Sequence, residues 1–380
     1  MKRLICAFVS LCLMLSTPVC AYAEDKPQND EHIHAKSAVL MDMDSREVLY
    51  SVNEYDELAP ASVTKIMSLL LILEALESEK ITLLDEVTAS KNAVSMGGSQ
   101  IWLEVGEKMT VDELLKAVII ASANDACTAL GEYVAGSSMA FVKMMNDRAK
   151  ELGLEHTNFE NCTGLDDSVK AHYSSAYDLA IIASEVMKYD LIENYSTVWL
   201  DSLRDGKTEL NNTNKLVNTY NGITGLKTGT TSNAGFCIAA TASRDDLNLV
   251  AVVLGSDTSD HRFDTASYLL DIGFANYKSV TPEIDETELK PVRINNGSKK
   301  SIYPIYPDMT KITVSKGDAD IEYKYNVYDS VCAPVKYGDK LGSIEVLCNG
   351  KSVATIMLTA GEDVDKLSFM DVLLSLVRNI

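Results

Sequence analysis

The chain has 380 residues and is 46% hydrophobic, enough apolar material for a sizeable core and for two or three domains. Its 55 acidic and 34 basic residues leave a formal net charge of −21. Such a surface repels nucleic acid and anionic lipid headgroups, so no nucleic-acid partner is expected.

The first residues read as a secretory signal. Lys2 and Arg3 form the basic start, residues 4–15 the apolar run, and Ala21-Tyr22-Ala23 the small-residue cleavage site. Residues 1–23 are therefore expected to leave, placing the mature protein outside the cytoplasm. Cys127, Cys162, Cys237, Cys332 and Cys348 remain, an odd number with no CxxC pair. Neither a disulfide framework nor a zinc site is expected, and no metal or other cofactor is called for. Two readings stay open: five small buried hydrophobes, or a pair between Cys332 and Cys348 with the rest buried.

Residues 38–52 alternate and turn at Asp44-Ser45-Arg46, which predicts a hairpin. Pro60-Ala61-Ser62-Val63-Thr64-Lys65 follows, and then residues 66–76, apolar nearly all round, predict a helix buried on most sides. Residues 90–106 read as loop. Thr110 and Glu113 form a capping box that opens a helix over 111–120. Further helices are predicted over 126–134, ending at Gly136, over 138–152, ending at Gly153, and over 175–187. Strands return at 235–242 and 247–254, and 263–277 reads as an amphipathic helix. Strands at both ends of a helical block predict an α+β fold, an antiparallel sheet with helices packed on it.

The pattern changes near Ser279. Pro282 and the acidic run 283–286 read as a linker, and short strands with turns at Asn295-Asn296-Gly297 and Asn349-Gly350 predict a small β-sandwich-like domain over 285–360. Residues 363–380 have helical period and a wide apolar face. They are too few to span a bilayer, and two readings remain: a helix lying in the membrane interface, or one docked on protein.

Three short motifs carry chemistry. Ser62 and Lys65 are three apart, so a helical turn places amine beside hydroxyl. Apolar surroundings and a helix N-terminus favour the neutral amine, which can accept the serine proton. Alone, Ser62 could equally be a helix cap. Ser122-Ala123-Asn124 lies where one helix stops and the next begins. Its hydroxyl suits proton relay and its amide suits a substrate amide, though capping explains it as well. In Lys227-Thr228-Gly229-Thr230, an ammonium, hydroxyls and a glycine permitting close approach suit a carboxylate beside a strand, or simply a turn.

The three in this order resemble the signature of the low-molecular-weight penicillin-binding proteins, the serine-type D-Ala-D-Ala carboxypeptidases. The resemblance extends over residues 59–67, 122–125, 172–180 and 221–236, and includes the signal, the β-domain and the tail. It implies a serine β-lactamase/transpeptidase-like domain over 24–279, then the small all-β domain and a C-terminal amphipathic helix peripheral on the outer face of the cytoplasmic membrane. It implies that Ser62 attacks the carbonyl between the terminal D-alanines of a peptidoglycan stem peptide and that Lys65 takes its proton. By the same resemblance Ser122 relays a proton to the leaving D-alanine. Asn124, Lys227, Thr228, Gly229 and Thr230 would bind substrate, with Arg262 meeting its carboxylate. The backbone N–H groups of Ser62 and Thr230 would form the oxyanion hole, and β-lactams would acylate Ser62. A β-lactamase or D,D-endopeptidase of the same superfamily is the alternative. Against the β-lactamase, residues 155–167 hold no match to the deacylating glutamate of that group, and Ser122-Ala123-Asn124 lacks its central aspartate. A wall-binding or sensor module that acylates without useful turnover is a third reading, which the intact motifs disfavour.

Overall fold

A computed structural model describes residues 30–166, 169–306, 311–317 and 320–368. The expected signal segment lies outside the described residues, as does the tail from 369 onward.

The predicted hairpin forms as β1 (Ser37–Asp42) and β2 (Val48–Val52). With β3 (Ile223–Thr231), β4 (Gly235–Arg244) and β5 (Leu247–Ser256) it makes one antiparallel sheet in the order β2-β1-β5-β4-β3. Every residue of β1 is buried, because helices cover both faces. The two-residue period sorts the strands into two cores. Val39, Met41, Val250 and Val252 face the helical block, while Ala38, Leu40, Leu249 and Ala251 face the long helix that follows β5. Asp245 and Asp246, both at positive φ, turn β4 tightly into β5.

The helices are α1 (Lys65–Glu77), α2 (Val111–Ile120), α3 (Asn124–Ala135), α4 (Ser138–Glu151), α5 (Ala176–Val186) and α6 (Ser259–Asn276). The capping box of α2 forms as the sequence predicts, with Thr110 and Glu113 exchanging backbone and side-chain bonds. Such a cap contributes about 1 kcal/mol. Ten of the thirteen residues of α1 are buried. The predicted loop 90–106 contains a short helix, Lys91–Val94, capped by Ser90. A helix at Asp190–Ser196 and a hairpin of Leu200–Leu203 with Thr208–Asn211 were not expected.

The small domain pairs Ile321–Val327, Lys340–Cys348 and Lys351–Ala360 in one sheet and Val292–Asn295 with its neighbours in another. Its apolar residues form separate clusters. Ile312, Val314, Val346 and Cys348 lie at one end, and Val292, Ile294, Val335, Ala360 and Val364 at the other. The chain leaving α6 continues as a strand, Tyr277–Val280, paired antiparallel with Ile312–Ser315. Beside it the Thr313 hydroxyl donates to the buried Asp42 carboxylate, and Lys316 Nζ caps α6 at the Phe274 carbonyl, 2.7 Å away. The acidic run read as a linker lies on this domain, where the N–H groups of Glu283 and Asp285 donate to the hydroxyls of Tyr323 and Tyr325.

Two expectations are corrected. The helix expected from Asp363 does not begin there: Val364 and Lys366 form extended bridges to Val335 and Gly297. Cys332 and Cys348 are both free thiols, and Cys332 is exposed rather than buried. Among the described residues no helix is long and apolar enough to cross a membrane.

Candidate active site

Ser62 stands in a 3-10 turn, Ala61–Thr64, that feeds α1, rather than in the first α-helical turn. The turn is held from two sides. A Cβ on Gly164 would lie 1.7 Å from the Ala61 carbonyl oxygen, and one on Gly229 would lie 2.8 Å from the Ser62 nitrogen. Glycine at both positions lets a loop and a strand close on the turn.

Lys65 is fully buried, and its Nζ lies 2.9 Å from Ser62 Oγ and 2.9 Å from the Thr163 carbonyl oxygen. Burial pushes its pKa down to about 8, against a weaker upward pull from Cys127, Cys162 and Asp125. The loop that supplies Thr163 is braced by Asn161, whose side chain accepts from the Thr163 and Gly164 nitrogens. The Cys162 carbonyl accepts from Ser68 Oγ of α1 and Cys127 Sγ of α3, tying the loop to both helices.

Ser122 occupies the junction of α2 and α3 at φ +61°, a conformation costly for a residue with a side chain. Asn124 donates through Nδ2 to the Gly97 carbonyl at 2.7 Å. Its Oδ1 is buried without a partner among the described residues, an open acceptor. Asp125 accepts from the nitrogens of Ile101 and Leu103 and so anchors the loop that precedes α2.

Lys227, Thr228, Gly229 and Thr230 lie on β3, not in a turn. Lys227 is buried and donates to the Thr228 carbonyl at 3.0 Å. Burial, with the charges of Lys65 and Arg262, pushes its pKa well below the usual lysine value. The Thr228 hydroxyl donates to Thr213 Oγ1 at 2.7 Å. Arg262 of α6 reaches the same strand, its Nη1 lying 3.0 Å from the Gly229 carbonyl and 3.0 Å from Thr230 Oγ1. Its Nε is buried and unpartnered among the described residues.

The sequence reading missed Thr163, which acts through its backbone carbonyl. His172 opens the stretch 172–180 that carries the resemblance, where it is expected as a structural histidine near the cleft rim. His172 accepts from the Glu160 nitrogen at Nδ1, so its Nε2 carries the hydrogen that it donates to Thr64 Oγ1 at 2.8 Å. Burial lowers this imidazole to about 4, leaving it neutral.

A buried lysine against a serine hydroxyl, with a glycine-bearing strand pressed on the serine's turn, is an arrangement suited to serine acyl transfer. Residues 23–258 match the D-alanyl-D-alanine carboxypeptidase family, peptidase S11, and residues 277–366 match the C-terminal domain of penicillin-binding protein 5. The chain is 40% identical to the D-alanyl-D-alanine carboxypeptidase DacF of Bacillus subtilis, over 97% of this chain and 96% of that one. It is 34% identical to DacC of Escherichia coli, over 94% and 90%. The crystal structure of penicillin-binding protein 5 from Haemophilus influenzae superposes with a TM-score of 0.79 at 30% identity, covering 88% of this chain and 98% of that one. Penicillin-binding protein D2 of Listeria monocytogenes, in its ampicillin-bound form, superposes at 0.59 with 28% identity, covering 65% and 100%. The chain belongs to the penicillin-binding, serine-type D-Ala-D-Ala carboxypeptidases of family S11. Its architecture is theirs: an α+β transpeptidase-like domain followed by a β-rich domain.

Proposed function

We propose that Ser62 is the nucleophile and Lys65 its base. The observation that carries this is the 2.9 Å contact between Lys65 Nζ and Ser62 Oγ, with the amine fully buried and its pKa near 8. Neutral Lys65 takes the hydroxyl proton as Ser62 Oγ bonds to the carbonyl between two D-alanines. The oxyanion is met by the N–H groups of Ser62 and Thr230. As the C–N bond breaks, Ser122 passes a proton to the D-alanine amine, with Lys65 and Lys227 behind it. Water then cleaves the acyl ester.

Substrate binding follows from the same residues. The open Oδ1 of Asn124 accepts a substrate amide N–H. Thr228, Thr230 and Arg262 receive the terminal carboxylate beside Lys227, and Gly229 leaves room for close approach. The substrate is the D-Ala-D-Ala end of a peptidoglycan stem peptide, and a β-lactam enters as its mimic. The catalytic domain spans 24–279 and the β-domain 285–360. The enzyme works outside the cytoplasm, peripheral on the outer face of the cytoplasmic membrane through its C-terminal tail.

Against the β-lactamase alternative, two described carboxylates on the loop after α4 are already engaged within the fold. Asp166 accepts from the Thr231 hydroxyl, and Glu160 accepts from the nitrogens of Lys170 and Ala171. The test is an intact-mass time course after adding penicillin, with Ser62→Ala alongside. A lasting adduct on the wild type alone, with D-alanine release from a D-Ala-D-Ala peptide, is the expected result. An adduct on Ser62→Ala sinks the assignment. Fast loss of the adduct with consumption of drug marks a β-lactamase.

A further inference from the structure

The end of the small domain remote from the catalytic domain carries an exposed aromatic surface. The cluster around Ile312 and Val346 sits where the domain meets α6, and Ala360 and Val364 belong to the opposite cluster. Around that opposite cluster Tyr303 and Tyr337 are 67% and 69% exposed, Tyr328 43% and Leu367 42%. Their backbones place each of them at this end. Pro304, next to Tyr303, pairs with Ala360, and the Tyr337 nitrogen donates to Asp363. The Tyr328 nitrogen donates to the Leu341 carbonyl, and that of Leu367 to Asn296.

The charges at this end cancel in pairs. Lys299 binds Glu362, and Lys336 binds Asp363 at 2.9 Å. In a chain of net charge −21, this is a surface that anionic lipid does not strongly repel. The chain also leaves the described structure here. Twelve residues follow Ser368, among them Phe369, Met370, Leu373, Leu374, Val377 and Ile380.

We infer that this tyrosine-bearing end is a second membrane-contact surface, resting in the lipid headgroup region beside the tail. Tyrosine suits that layer because its ring is apolar and its hydroxyl is wet. One weak apolar anchor gives only marginal binding, and a second contact makes it stable. The inference rests on the reading of the tail as lying in the membrane interface.

The test is co-flotation of the full chain with mixed phosphatidylethanolamine–phosphatidylglycerol vesicles, comparing wild type with Tyr303→Ser/Tyr337→Ser. Peptide hydrolysis is followed in both, and each single variant is included. The double variant is expected to partition about tenfold more weakly, each single variant less so, with hydrolysis unchanged and the loss insensitive to salt. Equal partition of wild type and double variant overturns the inference and leaves the tail reading standing. Absence of wild-type partition sinks the tail reading and the inference with it. If the two tyrosines instead hold a dimer in vesicle-free sedimentation, the surface belongs to a second copy of the chain and the inference is overturned.

Discussion

Lys65 Nζ donates to the Thr163 carbonyl at 2.9 Å while facing Ser62 at the same distance. A neutral amine satisfies both neighbours, with an N–H for the carbonyl and a lone pair for the serine proton. The backbone carbonyl therefore fixes the direction of the lone pair.

This makes acylation pH-dependent. With Lys65 titrating near 8, the rate of acylation by a β-lactam is expected to climb about tenfold per pH unit below 8 and level off above it. Lys65→Arg keeps its proton throughout, so its acylation is expected to fall by about 10³ and lose the pH profile. A stopped-flow pH series checks both.

The same lysine costs stability. Its folded pKa lies below the ordinary 10.5, so between about 8 and 10.5 the unfolded chain binds the extra proton and stability rises with pH. Below 8 the penalty is full, about 3 kcal/mol. Lys65→Met is expected to unfold no more readily than wild type at pH 7, with that advantage shrinking toward pH 10. Denaturant titrations at the two pH values measure it.

Gly229→Ala places a methyl against Ser62 N, Pro60 O and Val63 N, all within 2.9 Å. Backbone atoms cannot yield as a flexible side chain does. A stability loss of about 1–3 kcal/mol is expected, with acylation slowed about 100-fold by displacement of the nucleophile. Wild-type acylation by Gly229→Ala would show that the strand does not press on this turn in solution.

Arg262 meets Gly229 and Thr230 through one nitrogen. Arg262→Ala is expected to raise KM for a peptide with a free terminal carboxylate about tenfold or more, and much less for its amide. An equal effect on both substrates would make Arg262 a brace for β3 alone.

His172 titrates near 4 when folded and near 6.5 when unfolded. Between those values the unfolded chain binds more protons, so stability falls as the medium is acidified, by about 3 kcal/mol at pH 4. His172→Gln is expected to flatten this acid limb. Unchanged acid sensitivity would assign it to other groups.

Local patterns in the sequence were legible. Thr110 and Glu113 declare a helix start in four residues, and the Ser62, Ser122 and Lys227 motifs mark their own places. The alternation of Val39 and Met41 reports a strand, though not that its other face is equally dry. What escaped was carried by backbone or by distance. The carbonyl of Thr163 has no side-chain signature. The bond between Thr313 and Asp42 joins residues 271 apart. The start of the tail was misread because Val364 and Lys366 pair as strand ahead of residues whose apolar period is helical.

The bond from Thr313 to Asp42 and the strand pair beside it leave no slack where the two domains meet. The small domain is thus a fixed post rather than a tether, and Lys351–Ala360 alone gives it about 33 Å of height. With the tail at the membrane as proposed, an enzyme on such a post would trim wall peptides at one stratum. Lengthening the post, rather than altering the cleft, is what would move that stratum outward.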